Sequence, residues 1–470
     1  MGAGPRLPHP VGMSPTSFPS PATAAQLPAI VLPDDQAYDT ARRAWNLAVD
    51  QRPAAVCVAT SVAEVQSAVR YARANGLRIA PQATGHLAAA IGSLDRTLLL
   101  KTALHDGDVE VDPLARRVRV QAGARWGEVA EACAPHGLAA MHGSSPTVGV
   151  IGYLLGGGLS FYGREHGLAV NHVTAFEVVT ADGRARRVDA ASDPDLFWAL
   201  RGGGGGFAIV TAVELALLPI AEVFGGALFF PIDAAPAVVR AWHAWTREAP
   251  RGVTTTLRIL CLPPVDEVPP PLRATPVVCV DGVALEEADG RELVERLLAV
   301  AAPLLGGWER MPSIAVLRLH GDPEPPTPGV ADAILLGELD EAAIEAFLAA
   351  AGAGSGSPLL VAELRQLGGA LAEAPPTSGV RGALEGRFLL FGVGVPTDPE
   401  RAQAIADHLR GMQRALSPWA TGTRFSSFAE HPGTGLAECV PGAALARLER
   451  IRATVDPDAL LVGAHALPQR

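Results

Sequence analysis

The stretch Pro81-Gln82-Ala83-Thr84-Gly85-His86 follows a short apolar run and turns on small residues. Two further glycine-rich segments follow it: Gly143-Ser144-Ser145-Pro146-Thr147-Val148-Gly149, which leads into Gly156-Gly157-Gly158, and then Gly202 to Gly206. Small residues let backbone N–H groups approach a ligand closely, and successive N–H groups form a concavity for anions such as a pyrophosphate. Each segment alone could be an ordinary turn or linker, because glycine is first of all a turn residue. Three of them, all flanked by strand-like segments, favour a dinucleotide site.

The common nucleotide-binding motifs do not accompany these turns. No strand leads directly into G-x-G-x-x-G and a helix with an acidic residue about twenty positions later, and G-x-x-x-x-G-K-[ST] is absent. If these glycine turns bind a nucleotide, the absence of both motifs narrows the choice of fold.

Composition and charge limit the partners of this chain. Its 470 residues are 49% hydrophobic and 19% charged, which fits about two or three domains with a large core. The net charge of −11, without a basic run, argues against nucleic acid or an anionic membrane as the main partner. No window offers the roughly 18 uninterrupted apolar residues of a spanning helix. The cysteines are scattered and odd in number, so we expect core thiols, no disulfide framework and no metal site: Cys57, Cys133, Cys261, Cys279 and Cys439.

Order is expected to begin near Asp34. Residues 1–33 are rich in Pro, Ala and Ser and contain neither an apolar h-region nor a twin arginine. We therefore predict a disordered tail rather than a signal peptide, and a cytoplasmic protein.

The pattern of elements predicts an α+β fold. A strand over 54–59, a helix that begins at Ser61 with Glu64 three residues later, and a strand over 77–80 form an α/β-type opening. Residues 34–219 are interpreted as the first domain, 220–420 as a second domain with an antiparallel sheet covered by helices, and 421–470 as a segment that returns to the first. In the second domain strands are expected over 224–232, 254–262, 276–283, 313–319, 359–367 and 387–395, with helices over 235–248, 286–305 and 399–416.

Together these segments resemble a bacterial member of the berberine-bridge-enzyme-like FAD-linked oxidases, a group of the vanillyl-alcohol-oxidase superfamily. The resemblance runs from about Tyr38 to about Pro219 and resumes weakly at the C-terminus. It implies a two-part PCMH-type FAD-binding domain with FAD as cofactor, followed by a substrate domain. The segments that carry it are Gln82–His86, Pro146–Gly149 with Leu155–Gly158, Gly167–Val170, and Asp195–Arg201 before the glycine run.

The resemblance also implies roles for individual residues. His86 occupies the place of the histidine that bonds to the flavin 8α-methyl group, a bond that raises the flavin reduction potential. Ser145 stands where many relatives attach the flavin through a cysteine, so one covalent link is expected. Val148 occupies the position that gates dioxygen, and a valine resembles the permissive oxidase form. The expected cofactor-binding residues are Gln82, Ala83, Thr84, Gly85, His86, Leu87, Ser144, Ser145, Thr147, Val148, Gly149, Gly152, Tyr153, Gly156, Gly157, Gly158, Gly167, Leu168, Val170, Ile209, Val210 and His465.

The chain departs from the family pattern at the substrate side. Asn171 stands where an Asp is usual and Gly206 where an Asn is usual, and Ala464-His465 replaces a late Asn-His pair. The tyrosine that helps deprotonate the substrate in relatives is missing from Cys439–Ala443, where we expect its segment. A base would have to titrate near the working pH, and an amine that binds in its neutral form would need no strong base. The candidates are Tyr162, His142, His320 and His465, and none is assigned as catalytic. His320 is interpreted as a surface residue.

Three functions remain open. An oxidase would transfer a hydride from a small alcohol, amine or natural product to the flavin, which dioxygen reoxidises with release of hydrogen peroxide. A dehydrogenase would use another acceptor, and a degenerate protein would bind flavin without catalysis. No motif names the substrate or the oligomeric state.

Overall fold

A computed structural model describes residues 29–105 and 109–467. Most of the predicted tail lies outside these residues. Its last part does not fit the prediction, because Ile30–Val31 form a strand that pairs antiparallel with residues 56 and 57. Regular structure therefore begins before Asp34.

The first part of the chain forms a four-stranded sheet with the order β1-β2-β4-β3. The helix α2 between β2 and β3 buries Val65, Val69 and Ala72, as the predicted strand–helix–strand unit requires. Leu461 pairs with Ile79 of β3, so the C-terminal segment reaches this sheet. The strands are β1 (Ile30–Val31), β2 (Ala55–Ala59), β3 (Arg78–Gln82) and β4 (Thr97–Thr102).

A five-stranded antiparallel sheet follows, with the order β5-β6-β9-β7-β8. An Asp-Gly turn at residues 182 and 183, the residue pair typical of hairpins, joins β7 to β8, and Gly183 adopts the left-handed φ of +79° there. The strands are β5 (Val109–Asp112), β6 (Arg117–Gln121), β7 (Val173–Val179), β8 (Ala185–Val188) and β9 (Ile209–Ala216).

The second part of the chain forms a seven-stranded antiparallel sheet with the order β13-β10-β12-β11-β15-β16-β14. The strands are β10 (Glu222–Pro231), β11 (Val253–Leu260), β12 (Val277–Ala284), β13 (Leu305–Pro312), β14 (Val330–Leu336), β15 (Val361–Gln366) and β16 (Phe388–Gly394).

Helices connect and cover the sheets. None of the helices in the described ranges is long and apolar enough to cross a membrane. They are α1 (Tyr38–Ala41), α2 (Val62–Ala74), α3 (Trp126–Cys133), α4 (Val150–Leu155), α5 (Gly163–His166), α6 (Pro194–Leu200), α7 (Ala235–Thr246), α8 (Glu287–Leu298), α9 (Glu341–Ala351), α10 (Pro399–Ala415), α11 (Leu436–Cys439) and α12 (Gly442–Val455).

The seven-stranded sheet presents two different faces. On one, Leu257, Val278 and Leu390 pack into an apolar core with residues of helices α7 to α10 such as Trp242 and Phe347. On the other, Val283, Ala333 and Leu389 join a cluster that contains Trp126 and Phe176 of the first part of the chain. The second face therefore looks toward the glycine-rich segments.

The sheet differs from the prediction at its edges. The helix expected over 286–305 ends at Leu298, and Leu305–Pro312 form the edge strand β13, whose mostly exposed residues carry no apolar alternation. The strand expected over 313–319 is a 3₁₀ helix over Ser313–Arg318. The strand β14 and the helix α9 were not predicted, because their alanine-rich sequences fit neither period clearly.

The N-terminal cap of α2 gives a stability prediction. Ser61 Oγ accepts a hydrogen bond from the Glu64 backbone N–H at 3.3 Å, and the Glu64 carboxylate accepts one from the Thr60 backbone N–H at 2.7 Å. We expect Ser61→Ala to lower the free energy of unfolding by about 1 kcal/mol, since it removes the cap. Ser61→Asp should keep most of the capping contribution, and urea titrations of both variants measure the two free energies of unfolding. Equal losses in the two variants would contradict a capping role.

Candidate functional site

The first two glycine-rich segments lie against each other and form one side of the candidate site, here called the glycine-rich wall. A Cβ atom placed on Gly149 would lie 3.2 Å from the Ala83 Cβ atom, so the backbones can approach only because residue 149 is a glycine. Thr147 Oγ1 lies 3.3 Å from His86 Nε2 and 3.1 Å from Ser145 Oγ. Segments that are distant in sequence thus place a histidine and two hydroxyl groups together.

His86 is fixed on both sides of its ring. The Trp45 indole stacks on the imidazole with ring centroids 3.9 Å apart and an interplanar angle of 16°. Burial lowers the pKa of His86 to about 4, and a hydrogen bond to the Thr147 backbone opposes this shift only in part. The imidazole is therefore neutral near pH 7, the state in which a ring nitrogen can form a covalent bond.

A half-buried cation lies next to this wall. Lys101 Nζ donates to the Gln82 side-chain oxygen at 2.8 Å and to the Arg43 carbonyl at 3.0 Å, while Gln82 Nε2 donates to Gln51 at 3.0 Å. Desolvation lowers the pKa of Lys101 to about 8. Since both of these hydrogen-bond partners are neutral, the Lys101 charge is available to an anion bound at the adjoining turn.

An aromatic ring leaves no space for side chains in the glycine run after α4. Gly158 has a φ of +73°, and a Cβ atom there would lie 2.3 Å from the Tyr153 ring. The same ring lies beside Gly143, and its hydroxyl donates to the Met141 carbonyl at 3.1 Å. Gly152 is exposed, with nothing within 4 Å of its Cβ position. This segment therefore has an open side next to a tightly packed one.

The remaining predicted cofactor residues are placed differently. Leu168, Val170 and Val210 are buried in the core cluster of the first part, and Ile209 belongs to the cluster around the four-stranded sheet. The structure does not bring these four into the wall formed by residues 82–87 and 144–149, and their contact with a cofactor stays a prediction.

The third glycine-rich segment packs against the C-terminal segment. The Gly206 carbonyl accepts a hydrogen bond from Arg452 Nη1. A Cβ atom placed on Gly463 would lie 3.2 Å from the Gly206 backbone nitrogen. His465 Nε2 lies 2.9 Å from the Ala429 carbonyl. The segment thus anchors the return of the chain to its first part.

A charged patch on the seven-stranded sheet lies on the other side of the candidate site, and the region between the patch and the glycine-rich wall is here called the cleft. The register of β11, β12 and β15 places Arg258, Asp281, Glu363 and Arg365 on one face, here called the charged sheet face. Arg258 donates to Asp281, with side chains 4% and 0% exposed, and Arg365 Nε donates to Glu363 Oε1 at 2.5 Å. The sequence analysis missed these residues, although charges inside otherwise apolar strands were a visible signal.

Several contacts join the charged sheet face to the glycine-rich wall. Ser144 Oγ donates to Asp322 Oδ2 at 3.2 Å. The Arg365 guanidinium lies 5.3 Å from the centre of the Phe428 ring. The Phe428 ring stacks on the Phe425 ring. Phe425 in turn packs against Gly157, where an added Cβ atom would lie 3.0 Å from the Phe425 ring. A ligand in the cleft would therefore meet backbone turns on one side and paired charges on the other.

The four candidate bases have different surroundings. Tyr162 donates to the Ser313 carbonyl at 3.3 Å and burial raises its pKa, whereas burial lowers the pKa of His142 to about 4. The surface interpretation of His320 is wrong, because its side chain is 3% exposed. Its Nε2 lies 3.7 Å from Asp281 and has no hydrogen-bond partner among the described residues. His142 and His465 each direct one ring nitrogen at a backbone carbonyl, whereas His320 is the candidate whose fully buried Nε2 has no hydrogen-bond partner among the described residues.

Two expectations about the C-terminal segment and the cysteines need correction. Cys439 and Val440 are buried in the core, and the segment that contacts the glycine run is Phe425–Phe428, where Ser426 Oγ donates to the Gly156 carbonyl at 2.9 Å. This segment also contains no tyrosine. All five cysteines are free, but Cys261 is exposed and is not a core thiol.

Comparison with known proteins agrees with this arrangement. Residues 53–189, which include both segments of the wall, match the FAD binding domain family. The N-terminal part of this chain is therefore similar to FAD-binding domains. An FAD-linked oxidoreductase of Aspergillus terreus is 38% identical over 192 residues, which cover 41% of this chain and 24% of that protein. The (R)-6-hydroxynicotine oxidase of Paenarthrobacter nicotinovorans is 34% identical over 188 residues, with 40% and 41% covered.

The likeness in structure extends over nearly the whole chain. The berberine-bridge-enzyme-like protein 1 of Physcomitrella patens superposes with a TM-score of 0.81, covers 94% of this chain and 97% of its own, and is 21% identical. The fold is therefore the expected α+β fold with a PCMH-type FAD-binding domain. In sequence the match spans less than half the length of these curated relatives.

The buried pair Arg258–Asp281 gives a second prediction. Asp281→Asn leaves a buried guanidinium without its carboxylate, so we expect the free energy of unfolding to fall by about 3–5 kcal/mol. The double variant Arg258→Met with Asp281→Leu removes both charges and should cost less than the single change. Urea denaturation of the three proteins compares them, and a double variant that is less stable than the single one would show that the pair itself stabilises the fold.

Proposed function

We propose that this chain is an FAD-dependent oxidoreductase that holds its flavin by one covalent bond to His86 and oxidises a small organic molecule. The observation that carries this proposal is the contact between residues 82–87 and 144–149, which places a neutral, stacked His86 beside Thr147 at the edge of the cleft.

The residues of the wall fit an FAD molecule. Glycines 85, 157 and 158 have φ values of +86°, +115° and +73°, and a side chain at any of them would collide with its neighbours. Such turns expose backbone N–H groups to a pyrophosphate, and the half-buried Lys101 ammonium, bonded to Gln82, adds positive charge nearby. Ala83, Thr84, Gly149 and Gly152 would lie against the cofactor.

One covalent link is proposed rather than two. The flavin, when bound, supplies the electron acceptor, and a link to an imidazole raises its potential. Thr147 and Ser145 share a hydrogen bond at 3.1 Å, which orients the Thr147 hydroxyl at His86. A serine cannot form a thioether, so position 145 takes part in orienting His86 and forms no bond of its own.

The cleft between the wall and the charged sheet face would receive the substrate. Val148 is partly buried in the wall, and its carbonyl accepts a hydrogen bond from the Trp126 backbone N–H at 3.1 Å. Its small side chain supports access of dioxygen to the cofactor, with release of hydrogen peroxide. The similarity to a hydroxynicotine oxidase supports the same interpretation. Membership of the bacterial berberine-bridge-enzyme-like group and a cytoplasmic location stay predictions.

A flavin-binding protein without catalysis is the second candidate. It is favoured by the segment Phe425–Phe428, which reaches the glycine run without a tyrosine, and by the high pKa of the buried Tyr162. The free nitrogen of His320 beside Asp281 is the observation against it.

The covalent bond can be tested directly. The protein should be yellow, and the colour should stay with the polypeptide after acid precipitation. His86→Ala should release all of the flavin into the acid supernatant while the protein still binds FAD, whereas the exposed His136→Ala should behave like the unchanged protein. Colour that stays with the His86→Ala polypeptide would refute the assignment, and a colourless protein that does not take up FAD would refute the cofactor.

The electron acceptor is a separate question. We expect a substrate that bleaches the flavin without air to produce one hydrogen peroxide per molecule oxidised when air is admitted, because Val148 leaves the cofactor accessible. Oxygen uptake and dye reduction would be compared on the same preparation. A flavin that stays reduced in air yet reduces the dye would identify a dehydrogenase. A flavin that no alcohol, sugar, amine or polyketide bleaches would favour the degenerate protein.

A further inference from the structure

Arg365 carries the one strongly basic head group of the charged sheet face that still has free donors. Its Nε donates to Glu363, but within the described ranges neither Nη1 nor Nη2 forms a hydrogen bond. The side chain is only 9% exposed, and neither Nη atom is among the fully buried unpartnered ones. The two amino groups therefore lack a protein partner and keep some accessible surface.

The neighbours of Arg365 place its guanidinium fork, the Nη1 and Nη2 amino groups, near the proposed cofactor site. The guanidinium lies over the Phe428 ring at 5.3 Å, and its charge opposes in part the rise in pKa that desolvation causes at Tyr153 and Asp322. Tyr153 belongs to α4, next to the glycine run, and Asp322 is bonded to Ser144. Arg365 thus lies between the sheet and the glycine-rich wall, where a substrate would pass.

Arg258, the other arginine of this face, is already occupied. It donates to Asp281 and to the His320 carbonyl at 2.9 Å, and its unpartnered Nε atom is fully buried. Arg258 and Asp281 therefore form a closed pair. The free donors of this face belong to Arg365, whose single bond to Glu363 through Nε fixes the plane of the fork.

We propose that Arg365 binds a carboxylate group of the substrate, so that the oxidised molecule is a small organic acid. This inference rests on the proposed flavin function. A guanidinium presents two parallel N–H donors that match the two oxygens of a carboxylate, and such charge-assisted pairs are the stronger hydrogen bonds in proteins. The Phe428 ring beside the fork would contact the apolar part of the same molecule.

The two carboxylates of the charged sheet face do not compete for the free amino groups of Arg365. Asp281 and Glu363 are each bonded to an arginine, so the carboxylates next to Arg365 already have partners. Asp322, the third carboxylate near Arg365, is exposed and accepts a hydrogen bond from Ser144. A bound carboxylate would occupy the Arg365 amino groups, which have no hydrogen-bond partner among the described residues.

Ligand titrations of the purified holoprotein test this proposal. Benzoate and propanoate would be added while the visible flavin spectrum is recorded, with benzamide and propanamide as neutral controls of matched shape. We expect saturable changes with the acids and at least about tenfold weaker binding of the amides, the loss expected for one charge-assisted hydrogen bond. Arg365→Gln should weaken benzoate binding by a similar factor, and Arg365→Lys should restore part of it.

The controls separate this proposal from the flavin function. Arg251→Gln changes a surface arginine that is bonded to Glu373 and should leave benzoate binding unchanged. Flavin content is measured first, so a colourless preparation would count against the cofactor and not against Arg365. If yellow protein binds acids and amides equally, binds neither, or binds benzoate unchanged after Arg365→Gln, the assignment of Arg365 is wrong. A spectrum that changes on Arg365→Gln without any acid dependence would place Arg365 on the flavin instead, and would also overturn it.

Discussion

The close approach of two backbone turns determines the rest of this site. Gly149 lies against Ala83 and Thr84 with no space for a side chain, and this contact brings Thr147 within hydrogen-bond distance of His86. A larger residue at position 149 would separate the turns and with them the histidine from its partner. The Trp45 ring holds the other side of the imidazole. Rigid turns, rather than long polar side chains, thus build the cofactor wall.

The seven-stranded sheet supplies the second wall because its strands alternate. Successive residues of a strand point to opposite faces. Leu257 and Ile259 therefore enter the helix-covered core, whereas Thr256 and Arg258 face the cleft. One sheet can thus be a hydrophobic support on one side and a polar ligand surface on the other. The helices hold the strands in register, and the register brings charges from three strands together.

The sequence predicted the first part of the fold better than the second. Ser61 and Glu64 cap a helix, and Asp182-Gly183 marks a hairpin, because both signals are local. The edge strand β13 was interpreted as a helix end and the 3₁₀ helix after it as a strand, since exposed edges carry little hydrophobic pattern. His86 and its turns could be found from a resemblance. Its contacts with Trp45 and Thr147 could not, because they depend on tertiary packing.

The charged sheet face shows why half of the site escaped the sequence. Arg258, Asp281 and Arg365 lie far apart along the chain and follow no motif, and each alone could be a strand residue that points to solvent. Their common location depends on the pairing of β11 with both β12 and β15. Burying charged groups costs free energy unless they are paired and hydrogen-bonded. Arg258 and Asp281 meet that condition with each other. The fork of Arg365 meets it only in part, and this incomplete pairing is what distinguishes a binding group from a structural one.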